Sequence, residues 1–91
     1  MELEIITGVA IMVGNNTFYS LPKPNRHHNV FDIIDVERPD LIINNLMEKQ
    51  GFITSKGRFV DRKEGLLIAS TANQLIRKTQ PLYLLFSEDM W

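Results

Sequence analysis

The sequence predicts an α+β domain: an antiparallel sheet built from two β-hairpins and packed with two or three helices, in the order ββα(α)ββα. Three observations carry this. Apolar, β-branched runs at 3–13 and 17–21 flank the turn-forming Gly14-Asn15-Asn16. A second pair of short runs, 52–54 and 58–60, flanks Ser55-Lys56-Gly57, a three-residue turn with glycine last. After each hairpin the apolar residues recur at helical spacing.

The elements follow in order. In "LEIITGVAIMV" Gly8 interrupts the first strand and marks a bulge. Pro22 and Pro24 end the hairpin, because proline gives a ladder no donor and holds its predecessor extended. Asn25 or Asn29 caps the next helix, which carries Val30, Ile33 and Ile34. Arg38-Pro39 breaks it, and Asp40 caps a further helix over "LIINNLMEKQ", stopped by Gly51. Asp61 caps the last helix, with Glu64 three residues on in a capping-box arrangement. That helix runs through "RKEGLLIASTANQLI" and places Gly65, Ile68, Ala69, Ala72, Leu75 and Ile76 on one stripe. Residues 77–81 form a loop, "LYLLF" is a strand or an apolar connector, and "SEDMW" is an acidic tail ending in the sole tryptophan.

The 91 residues make one domain, 1–91. A chain of this size buries only about 60–65% of its unfolded surface, so the core is thin and a homo-oligomer is expected. The net charge of −1 supplies no field for duplex nucleic acid or an anionic membrane. The absence of cysteine excludes disulfides and thiolate metal sites and suits a reducing cytosol. No run of about 18 apolar residues exists to span a membrane. "MELEIITG" lacks the basic region of a signal peptide, so a cytoplasmic protein is expected.

The candidate site lies in "LPKPNRHHNVFD", which holds both histidines of the chain. Adjacent histidines on a helix point about 100° apart and do not share a metal well. No H-x-x-x-H, Walker loop or G-x-S-x-G accompanies them. Neither a metal site, a catalytic centre nor a cofactor is therefore expected, and the chain is read as a non-enzyme. The bland alternative for His27 and His28 is a polar helix start.

Anion recognition is the functional reading. Arg26 precedes one helix start, and Lys56, Arg58, Arg62 and Lys63 surround another. Helix N-termini favour phosphate, and arginine grips it with a bidentate fork. Brought together, across a subunit boundary if need be, two such entrances would hold a diphosphate. Phe18, Tyr19, Phe59 and Tyr83 offer stacking surfaces, although core packing is the ordinary use of an aromatic. The candidate ligand-binding residues are Arg26, His27, His28, Asn29, Arg58, Phe59 and Arg62. A structural use of "GRFVDR" is the competing reading: Arg62 pairs with Glu88 or Asp89, and Trp91 fills a groove in this subunit or its partner.

"GFITSKGRFVDRKEGLLIASTANQ" and the closing "LFSEDMW" resemble a family of small phage and prophage proteins. Their pattern reads G-F-x-T-S-x-G-R-F-V-D-R-x-E-A, followed by an Ile-Ala helix ending near Gln and a Ser-Glu-Asp-Leu-Trp close. They also carry Arg-His-His or Arg-His after an N-terminal hairpin, as at Arg26-His27-His28. The likeness covers about two-thirds of the chain, with Gly65 in place of the usual alanine and Met90 in place of leucine. The layout is also similar to that of the Thoeris anti-defence sponges, phage proteins that sequester cyclic ADP-ribose-type immune signals without cleaving them. That resemblance implies a nucleotide-type signalling ligand, gripped at its phosphates by an early and a hairpin arginine. Arg26 and Arg58 match those two positions. The alternative function is a phage regulator or inhibitor that acts by protein contact with a host factor.

Overall fold

The structure, a computed structural model, describes residues 3–13, 17–39 and 49–91. It contains one four-stranded antiparallel sheet in the order β2-β1-β3-β4, with β1 at Ile6–Met12, β2 at Phe18–Pro22, β3 at Gln50–Thr54 and β4 at Phe59–Asp61. Helix α1 spans His27–Glu37 and α2 spans Arg62–Thr71. The α+β class and both hairpins match the sequence expectation. The turn at 14–16, and the helix expected after Asp40 as far as residue 48, lie outside the described residues. Gln50 already belongs to β3.

Strand alternation sends Val9, Ile11, Phe52 and Val60 to the face that both helices cover, where they meet Val30 and Ile34 of α1 and Ala69 of α2. Full burial of each such side chain is worth about 1.5–3 kcal/mol. The β1–β3 register shifts between Ile6 and Gly8, the bulge that Gly8 announces. Gly51 is as closely confined as Gly8. A Cβ there would lie 2.2 Å from the Val60 carbonyl oxygen and 2.5 Å from the Phe59 ring, so only glycine fits. The second hairpin closes as its sequence requires, with Gly57 at φ +75°.

The helix starts differ in chemistry. Asp61 caps α2 through its side chain, which accepts from the Glu64 amide at 2.8 Å. At α1 the cap is Arg26, not Asn25 or Asn29. Asn29 plays the return half of a capping box, its Oδ1 accepting from the Arg26 amide at 2.8 Å.

Helix α2 ends five residues earlier than the apolar stripe suggests. Asn73 takes a left-handed conformation, φ +57°. Its amide donates to Ser70 O at 3.2 Å, and the Gln74 amide donates to Ala69 O at 2.8 Å. This is a Schellman stop with asparagine where glycine is usual. Ala72, Leu75 and Ile76 therefore leave the helical stripe. From there the chain runs without regular structure to a single 3-10 turn at Ser87–Asp89, so "LYLLF" is a connector. Leu85 and Met90 insert into the core, while Leu82 and Tyr83 face solvent.

Candidate functional site

Although β2 and β4 end at opposite ends of the sheet, both helix starts reach Gly51. His27, the first residue of α1, donates from Nε2 to the Gly51 carbonyl at 2.7 Å. Asp61, the residue before α2, is the β-partner of Gly51. Of the second basic entrance only Arg62 thus approaches the first, and the segment Leu85–Trp91 runs between it and Arg26.

Each arginine at this junction holds part of that segment. Arg26 donates from Nη1 to Ser87 Oγ at 3.1 Å and from Nη2 to the Trp91 backbone oxygen. The Trp91 indole Nε1 donates to Asn25 O at 2.9 Å. Arg62 donates to Leu85 O at 2.8 Å and to Gln50 Oε1 at 2.5 Å, and its guanidinium lies 4.7 Å from the centre of the Phe86 ring. The expected pairing of Arg62 with Glu88 or Asp89 is replaced by these contacts. Among the described residues neither Arg26 nor Arg62 forms an ion pair with an aspartate or glutamate.

His27 is buried edge-on against Phe52, with ring centres 5.2 Å apart. Burial pushes its imidazole down to about 4, against the upward pull of the Gly51 carbonyl. His28 is exposed and Asn29 half-buried.

Arg58 stands at the other end of β3, where its carbonyl accepts from the Thr54 amide. Its guanidinium grips both Glu4 oxygens, at 2.7 and 2.9 Å, and reaches Glu64 at 2.8 Å. Hydrogen bonds from Arg58 and from the Thr54 hydroxyl hold the Glu4 carboxyl down at about 2. Phe59 lies on the sheet face away from the helices, 5.8 Å from Phe18. Within one chain, then, Arg26, His27 and Arg62 come together, and Arg58 and Phe59 are set apart from them.

Sequence reasoning named Asp89 as a lock on the last segment but with the wrong partner, and it missed Lys78, Thr79 and Gln74. Asp89 is fully buried. It accepts from the Thr79 amide at 2.8 Å and hydroxyl at 2.9 Å, the Phe86 amide at 2.9 Å and Lys78 Nζ at 3.1 Å. Burial opposes its charge, but the Phe86 and Thr79 amides and Lys78 outweigh that and hold it below the ordinary carboxylate range. Gln74 bonds to both the amide and the carbonyl of Ile6, at 2.8 and 2.9 Å, as a neighbouring strand would. Among the described residues no group of three or more histidine or acidic side chains is arranged to hold a metal. No helix there is long and apolar enough to cross a membrane.

A small α+β domain whose two helix entrances share one basic junction is the class this geometry defines. Residues 5–91 match the family model described as phage T4 y16D protein, and the chain belongs to that family. It is thus a small phage protein. Searches among curated proteins and solved structures returned no match.

Proposed function

We propose that this phage protein binds an anionic, nucleotide-type immune signal and sequesters it without cleaving it. The observation that supports this reading is the convergence of the two helix entrances at Gly51. It brings Arg26 and Arg62 to the same segment, at Ser87 and Leu85, without a direct ion pair to an aspartate or glutamate among the described residues, although Glu88 and Asp89 act on Arg62 through space. Arg58 is instead neutralised by Glu4 and Glu64, so within one chain Arg62 takes the second place that the resemblance assigned to Arg58. His27, buried and pushed down to about 4, serves the junction as a neutral donor to a carbonyl.

The test is a thermal-shift screen of cyclic ADP-ribose species and cyclic oligonucleotides. A ligand at 100 times its dissociation constant stabilises the fold by about 2.7 kcal/mol. It is then recovered intact after denaturation. Arg26→Ala and Arg62→Ala lose the shift, whereas Arg58→Ala keeps it. Recovery of a hydrolysed product, or binding indifferent to both Arg26 and Arg62, overturns the reading.

A second reading has its own support. Val36 and Leu67 are 83% and 69% exposed on the two helices. Each is an apolar side chain open to contact with a host protein. A single stoichiometric host protein captured by the wild type, and lost with Val36→Asp or Leu67→Asp, would favour it.

A further inference from the structure

We propose that Trp91 is a built-in occupant of the Arg26 site, which an incoming nucleotide displaces. This inference rests on the binding reading above and adds its regulation. Trp91 makes three polar contacts there. Its backbone oxygen accepts from Arg26 Nη2, its indole Nε1 donates to Asn25 O at 2.9 Å, and its amide donates to Ser87 O at 3.0 Å. The first two are chemically those of a nucleotide. An oxygen sits on a guanidinium as a phosphate would, and a flat aromatic ring directs an N–H to a carbonyl as a nucleobase amine would.

The anchoring around Trp91 makes displacement local. Asp89 fixes the preceding residues through Lys78, Thr79 and Phe86, and its own carbonyl accepts from the Ile76 amide at 2.7 Å. Met90 is buried in the core at 7% exposure. Trp91 is only half-buried at the margin of that core. Trp91 can therefore turn away while the residues before it stay docked. Arg26 then offers the freed Nη2 to the ligand and keeps Ser87 through Nη1.

The apparent dissociation constant of such a site is the intrinsic one divided by the open fraction. A contact closed nine-tenths of the time therefore weakens binding about tenfold. The experiment titrates the full chain with cyclic ADP-ribose and with inorganic diphosphate while following the fluorescence of Trp91, the sole tryptophan. Two variants are titrated by calorimetry: a chain ending at Met90, and Trp91→Ala, which keeps the backbone oxygen should the shorter chain misfold. Ligand is expected to shift the wild-type emission to the red and increase its quenching by iodide. The Met90-ending chain is expected to bind more tightly. Equal affinity in all three proteins with unchanged emission overturns the displacement and leaves the binding reading intact. Weaker binding by both variants makes Trp91 part of the grip and also overturns it. Failure of every protein to bind either probe overturns the binding reading and the displacement with it.

Discussion

His27 and Glu4 titrate in opposite chemical senses but destabilise the fold in the same direction. The His27 imidazole falls from 6.5 to about 4 on folding. The unfolded chain therefore binds the extra proton first, and the stability is complete above pH 6.5 and lost as pH falls through 4. The size of that loss is about 3 kcal/mol. Glu4 falls from 4.5 to about 2, so its contribution is complete above pH 4.5 and lost toward pH 2. Urea midpoints measured against pH should show both windows. His27→Gln flattens the upper window, and Glu4→Gln flattens the lower. The arginines show why such side chains were only half legible. Arg26 and Arg58 stand out locally, beside prolines and at a hairpin turn. Their partners, Trp91 and Glu4, lie 65 and 54 positions away, and no short-range pattern announces them.

Among the elements, those that were legible depend on local chemistry. The Ser55-Lys56-Gly57 turn and the Asp61 cap each need only a few neighbouring residues, and both appear as read. The end of α2 was misread because Ala72, Leu75 and Ile76 prolong the apolar period beyond the real helix. A left-handed Asn73, a recognised stop, outweighs that period. The Arg26 cap was missed because the reciprocal bond comes from Asn29, inside the helix. At Gly51 three demands meet: the close Val60 carbonyl, the Phe59 ring and the His27 hydrogen bond. Gly51→Ala is therefore expected to cost about 2–3 kcal/mol, the upper part of the overpacking range, read as a lower denaturant midpoint with unchanged slope.

For the whole molecule, the irregular residues 72–91 are structural material rather than an appendage. Leu85 and Met90 complete the core, and Asp89 accepts from four donors: the Thr79 amide and hydroxyl, the Phe86 amide and Lys78 Nζ. Asp89→Ala leaves Lys78 without its carboxylate and the Thr79 and Phe86 amides unmet. A loss of about 3–5 kcal/mol is expected from breaking a buried pair of this kind. Thermal melts measure it, and faster tryptic cleavage at Arg77 and Lys78 reports that the segment has lifted. This architecture was the least legible part of the chain. It has no periodicity, and its order comes from side chains bonding to backbone atoms far away in sequence.

The Gln74 amide standing in as a strand beside Ile6 has a kinetic meaning. It joins residues 68 positions apart, and the Trp91 indole joins Asn25 across 66. Loop-closure entropy for such spans must be met before any of these contacts returns enthalpy. Among the described residues, both ends of the fold are thus tied together by contacts of long sequence separation. Its two hairpins are local, but the native state waits for residues 74–91 to reach Ile6 and Asn25. Folding is then expected to be slow relative to helical proteins of equal stability, with the docking of residues 74–91 onto β1 and the start of α1 as a late event.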